Sequence, residues 1–204
     1  MRTNWITDSL KYIFGGHGWT TIAFDVLLLA GIAVALLVYR RFPGQRTLHH
    51  VWTWLARTIM GAMWWQQVIW KVPPDFDGLR FWTNEMVKYA STDLQRAFVS
   101  NVILGHFGFF APLVFLVEVI ISVALLLGLW SRFGSLLGAA MAINLSQGLY
   151  RSPGEWPWQY IFLIIIMLQF SLVPPGRSLG LDALLGERDE GNQGVVFRLL
   201  RWVR

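Results

Sequence analysis

Cysteine is missing from all 204 residues. That absence excludes disulfides, iron–sulfur ligation and thiol redox chemistry within this chain, and it is silent on compartment. Charge is scarce as well. Asp, Glu, Lys and Arg together make up 14%, where soluble domains carry about a quarter. The net charge of +5 suits cytoplasmic loops and anionic lipid, and it is too thinly spread to make nucleic acid a partner. No Gly-rich nucleotide loop sits in a strand–helix unit, and no nucleophile–base set is visible. Histidine occurs four times, at His17, His49, His50 and His106. His49 and His50 are adjacent and point in different directions, and His106 lies at a helix start. A bis-His haem needs two imidazoles facing each other, so neither haem nor metal is expected in this chain.

What the chain does contain is apolar. Hydrophobic residues reach 55% and mean hydropathy is +0.48. Twelve tryptophans cluster near predicted helix ends, as interfacial anchors do. Residues 109–130, FFAPLVFLVEVIISVALLLGLW, form an apolar run long enough to cross a hydrocarbon layer of about 30 Å. One carboxylate, Glu118, lies near its middle. At that depth it must face protein or a water-lined cavity, with a partner or with a proton. It either locks helices together or carries chemistry.

Around that run the chain reads as a polytopic, all-α transmembrane bundle. An interfacial segment, 1–20, holds a short amphipathic helix over 4–14 and has no cleavable signal pattern. Helix 1 covers about 21–39, with Asp25 one turn inside it. Helix 2 covers about 51–70. Arg57, Gly61, Trp64, Val68 and Lys71 recur on one of its stripes, and Lys71-Val72-Pro73-Pro74 ends it. Residues 75–106 form the longest connection and read as two surface helices covering the mouth of the bundle. The first presents Leu79, Trp82, Met86 and Tyr89 on one face, and the second is capped at Ser91-Thr92-Asp93. Helix 4, about 134–150, carries Gly134, Gly138 and Ala142 at small-xxx-small spacing, with Asn144 and Gln147 on another face for packing. Helix 5 covers about 158–173 after the turn PGEWPW. The tail, 176–204, closes with a basic amphipathic helix. Five spans put the two ends on opposite sides, and the Lys/Arg distribution predicts a cytoplasmic C-terminus and an external long loop.

The blocks RTIMGAMWWQQVIWK, LVEVIISVALLLGLWSR and GRSLGLD resemble the DoxX/DoxD family of four-helix membrane proteins. The resemblance covers about residues 51–186 and matches at Arg57, Gly61, Lys71, Glu118, Gly128 and Arg132. It implies a four-helix core over 51–175 preceded by one extra transmembrane helix. It further implies a cell-membrane subunit of a quinone-linked oxidoreductase, like the small membrane subunit of thiosulfate:quinone oxidoreductase. In that reading Glu118 is the catalytic proton carrier, and Arg57, Trp64, Lys71 and Glu118 line the quinone site. Trp65 and Trp70 offer further aromatic walls. Counting inward from the predicted helix ends puts Arg57 and Glu118 within roughly 8 Å in depth. An Arg57–Glu118 ion pair and a proton-carrying Glu118 are then competing readings. Without a redox centre of its own, the chain needs a membrane or periplasmic partner subunit to bring the electrons. The alternative is a non-catalytic accessory subunit of a larger respiratory or photosynthetic complex. A transporter is disfavoured, because no inverted repeat and no mid-membrane helix break is seen.

Overall fold

The computed structural model describes residues 18–188, with side-chain surroundings to Gly186, together with Asn4 and Thr7 nearer the N-terminus. Apart from Asn4 and Thr7, the helix predicted over 4–14 falls outside the described residues, as does the one predicted at the basic C-terminal end. Among the described residues there are eight α-helices and no strand. They are α1 (Trp19–Arg41), α2 (Leu48–Val68), α3 (Asp77–Tyr89), α4 (Asp93–Ala97), α5 (Phe107–Leu127), α6 (Ser131–Leu149), α7 (Pro157–Leu172) and α8 (Leu181–Arg188). Helix α4 runs on as a π-wound segment, Phe98–Leu104.

Two helices, α1 with 23 residues and α5 with 21, are long and apolar enough to cross a membrane, and α7 is a shorter apolar helix. Their limits have local causes. Thr47 caps α2 by accepting from the His50 amide, so the helix begins at Leu48 rather than at the predicted 51. Gly128 stops α5 at Leu127, three residues before the predicted end. Its φ of 65° is left-handed, and its amide closes onto the Ala124 carbonyl. Pro157 opens α7 at the first helical position, where a missing N–H costs nothing.

Helix α2 packs antiparallel on α5, α5 on α6 and α6 on α7, while α1 leans against α5 and α2. Small residues set the approach. A Cβ on Gly31 would lie 2.6 Å from the Leu126 carbonyl oxygen, one on Gly61 3.0 Å from the Leu126 nitrogen, and one on Gly134 2.6 Å from Ala124 Cβ. The inner core joins Met60 and Trp64 of α2, Ile121 and Leu125 of α5, Ala139 of α6 and Met167 of α7. Trp65 faces α1 instead. It packs with Phe24 and Leu126 and donates its indole N–H to the Thr20 carbonyl at 3.0 Å.

The helix ends are not flush. Gly61 nests on Leu125 and Leu126, so the first turns of α2 overhang the end of α5. The chain after α7 fills that overhang. His50 Nδ1 meets Ser178 Oγ at 2.9 Å, and Gln45 exchanges hydrogen bonds with the Arg177 carbonyl and the Leu179 amide. At the opposite end α5 overhangs α2, and Phe76, Leu79, Phe107 and Ala111 pack into that space. Outward faces carry large exposed apolar side chains, among them Ile22, Leu29 and Leu36 on α1, Leu113 and Leu116 on α5, and Phe162 and Ile165 on α7.

Candidate functional site

Two buried polar centres are built on α2, one at its middle and one just past its C-terminal end. At the first, the guanidinium of Arg57, with no solvent-exposed surface, donates to the carbonyls of Leu125, Leu126 and Leu179. A cation placed on the last carbonyls of α5 complements that helix end. Gly128 lets it in, since a Cβ there would lie 2.6 Å from Arg57 Nη1. Asp182 completes the centre. Its carboxylate accepts from the amides of Trp130 and Ser131 at 2.8 and 3.0 Å and from the Ser131 hydroxyl at 2.8 Å, which caps α6 from a distant part of the chain. The Asp182 amide donates to the Gly128 carbonyl at 2.8 Å, and the Gly176 amide to Ser131 Oγ at 2.9 Å. The LLLGLWSR and GRSLGLD blocks, 44 or more residues apart in the chain, thus share one knot with Arg57.

The second centre is different. Lys71 follows the last turn of α2 and pairs with Glu118 Oε1 of α5. Both are buried, Glu118 completely. The ammonium also lies 4.4 Å from the centroid of the Trp70 ring, a desolvated cation–π arrangement. Gly78, at the start of α3, presses on Trp70: a Cβ there would meet the Trp70 ring at 2.8 Å.

Beside the pair lies a cavity of about 460 Å³, within the range of small-molecule sites. Trp64, Trp70, Trp82 and Tyr160 supply aromatic wall, and Met63, Met86 and Met141 supply pliable wall. Polar groups are few: Lys71 and Glu118 at one side, Gln67, Thr83 and Asn144 around it, and Glu155 with Gln159 and Tyr160 at another. Several of these are already occupied. Asn144 Oδ1 accepts from Gln95 at 3.0 Å, Thr83 donates to the Leu79 carbonyl at 2.7 Å, and the Tyr160 hydroxyl donates to Glu155 at 2.8 Å. Two buried atoms are not. Among the described residues, Glu118 Oε2 and Trp64 Nε1 have no hydrogen-bond partner; both belong to buried residues that line the cavity, and Arg57 Nε at the first centre is in the same state. A buried donor or acceptor left so costs roughly 1–3 kcal/mol.

Of the residues singled out from the sequence, the structure brings Trp64, Lys71 and Glu118 to one cavity. Arg57 is elsewhere, about seven residues along α5 from Glu118, or roughly 10 Å of helix rise. The partner of Glu118 is Lys71, so the expected Arg57–Glu118 contact is replaced. The depth count assumed flush helix ends, and the overhang of α2 removes that assumption. Trp70 is a wall, and Trp65 is not. The remaining histidines are dispersed. His49 and His50 stack edge to face at 5.3 Å, and His106 bonds the Val102 carbonyl at 3.1 Å.

Sequence reasoning passed over Glu155 as part of a turn and Gln159 and Tyr160 as part of helix 5, and it assigned no role to Asp182. A Glu and a Tyr five residues apart, bracketing a tryptophan-rich turn, were the available signal for the first group. An acid closing the GRSLGLD block was the signal for the second. Of the two predicted surface helices, the first lines the cavity, and the segment after the second adds Ile103. Leu79, Trp82, Thr83 and Met86 of α3 line it. Their elbow is tied to α6 by Ser91 to Gln147 and by Arg151 to the Ser91 and Tyr89 carbonyls.

Comparison of the chain with profiles of known protein families, with curated proteins and with solved structures finds no match in any of the three.

Proposed function

We propose that this chain is a multi-pass membrane protein, with α2, α5, α6 and α7 as a DoxX-like four-helix core and α1 as an extra span. We propose further that its lid-covered cavity binds a quinone-type ring as the membrane subunit of a quinone-linked oxidoreductase. Support for the membrane reading comes from the exposed apolar faces of α1, α5 and α7, which would be a large liability in water. Trp19, Trp156 and Trp158 stand exposed at one end of the helices and Trp52 and Trp130 at the other, as two interfacial belts do. Arg40, Arg41, Arg46, Arg132 and Arg177 all lie at the end away from the lid, which favours a cytoplasmic C-terminus and an external lid.

One observation carries the ligand reading. A cavity of ring-accommodating size has aromatic walls and a buried Lys71–Glu118 pair at its edge. A purely structural pair has no need of an adjoining cavity. The ring would lie between the tryptophans, Lys71 would orient it, and Glu118 would hold or move a proton at one ring oxygen. The electrons must come from a partner subunit, since the chain supplies no redox group to the cavity. The resemblance to the thiosulfate:quinone oxidoreductase subunit makes a periplasmic-side donor protein the expected partner.

The test is purification in mild detergent, followed by solvent extraction and mass spectrometry of what is retained, together with the proteins that come with it. A quinone at near-stoichiometric yield supports the reading. Ordinary phospholipid alone, in a chain that co-purifies with a large complex and whose deletion breaks that complex, supports the accessory-subunit alternative.

A further inference from the structure

Resting on the quinone reading, we infer that the ligand is a long-tailed quinone that enters the cavity sideways from the bilayer, through an open seam between α2 and α7. The tail stays in that seam while the ring sits beside Lys71 and Glu118. Two features of the fold lead there: the roof of the cavity is fastened down, and one of its walls is not closed.

The roof is α3, and it is held at both ends. Its first turn rests on the chain just after α2, where a Cβ on Gly78 would lie 2.5 Å from the Trp70 carbonyl oxygen. Farther along, Met86 sits so closely on α6 that a Cβ on Gly148 would overlap its methyl group. Beyond α3 the Ser91 amide donates to the Gln147 carbonyl at 2.8 Å, and the Arg151 amide donates to the Tyr89 carbonyl at 3.1 Å. Lifting the lid breaks these contacts together.

The walls are less complete. Among the described residues α7 packs on α6 and makes no comparable approach to α2, so the ring of four core helices is left unclosed. Helix α1 does not cover the gap, because it leans on the other flank of α2, with Phe24 against Trp65. Away from the lid, side chains plug the seam: Met60 of α2 and Met167 of α7 share one core cluster, and Phe170 packs against it. Nearer the lid the seam borders the cavity. Met63 and Gln67 of α2 and Gln159 and Leu163 of α7 line it. Gln159 is exposed and the other three are half-buried, and the same flank of α7 continues to the exposed Ile166. Gln159 directly follows the exposed Trp158, so the mouth lies just inside the tryptophan belt, and Leu163 is about 6 Å deeper. At that depth the mouth opens on lipid tails. An apolar chain leaving through it stays out of water, against a pliable methionine on one side and a leucine on the other. A ring with such a tail reaches Lys71 and Glu118 without any movement of the lid.

The experiment is photoaffinity labelling of the full chain in lipid nanodiscs, with a ubiquinone analogue that carries a diazirine on its alkyl tail. Peptide mass spectrometry locates the adducts, with and without excess decylubiquinone. The expected result is adducts within residues 59–70 and 159–170 that excess decylubiquinone removes. Competed adducts elsewhere, on α3 or residues 98–106 above all, overturn this inference and leave the quinone reading standing. If no competed adduct forms anywhere, the quinone reading itself falls. A second measurement exploits the absence of cysteine. In Gln67→Cys/Gln159→Cys a short bis-methanethiosulfonate reagent ties the two helices across the mouth. Decylubiquinone binding, followed by calorimetry, should then weaken about tenfold or more, because the tail loses its buried slot, and thiol reduction should restore it. Wild type has no thiol to react and binds equally with and without the reagent. Undiminished binding in the tied form overturns the seam. Should the double variant fail to fold, labelling of wild type decides the matter alone.

Discussion

Arg57 and Lys71 are two buried cations on the same stripe of α2, fourteen residues apart, and they live in opposite circumstances. Arg57 is surrounded by groups with nowhere else to go: the last carbonyls of α5, Gly128 without a side chain, and a capping aspartate from the end of the described chain. Lys71 has one acid and one indole ring, and next to them is a cavity lined by aromatic and methionine side chains. A buried charge alone therefore does not distinguish a strut from a binding site. What distinguishes them is the space beside them: Lys71 and Glu118 line a cavity, and Arg57 does not.

Substitutions can break that contrast or sharpen it. The largest expected effect is at the knot. Arg57→Leu leaves Asp182 buried without its cation and strips three carbonyls of their donor, at a cost of about 3–5 kcal/mol. Thermal unfolding in detergent should show loss of most of the folded fraction. If Arg57→Leu were as stable as wild type, the knot would not be structural. Lys71→Met alone should cost a similar amount, since it strands a buried carboxylate. The double variant Lys71→Met/Glu118→Leu separates the two ends. Replacing a buried pair with apolar residues of similar volume is neutral or stabilising, so the double variant should unfold within about 1 kcal/mol of wild type while losing all ring binding. No apolar replacement at the knot should behave that way, because its partners are backbone groups that cannot be mutated away.

A smaller effect is expected at Asp182→Asn. Two amides and a hydroxyl keep an acceptor on one side and lose the charge, which should lower stability by about 1–3 kcal/mol and leave ligand affinity unchanged. Calorimetry of unfolding and of binding on the same preparation checks both halves. A drop in affinity without a drop in stability would link the two ends and contradict their independence.

How far this could be read beforehand varies with the kind of interaction. The five long helices were legible because apolar runs and their breakers are local, and their ends moved by only a few residues where Thr47 and Gly128 cap them. The buried acid was legible from its isolation in an apolar run. Its partner was not. Arg57 and Lys71 share a face, so periodicity offers both, and the choice depends on how far α2 slides along α5. That register is set by Gly61 against Leu125 and Leu126, and by a C-terminal segment filling the overhang. Both are long-range contacts with no trace in local spacing. The same holds for Asp182, whose capping of α6 joins residues 51 or 52 positions apart.

The most direct measurement compares what wild type and Lys71→Met/Glu118→Leu retain through purification, by solvent extraction and mass spectrometry at matched folded yield. The account expects a quinone-type ring held near one per chain by wild type and absent from an equally well-folded double variant. The same ring retained in equal amount by both, or by neither, would contradict it.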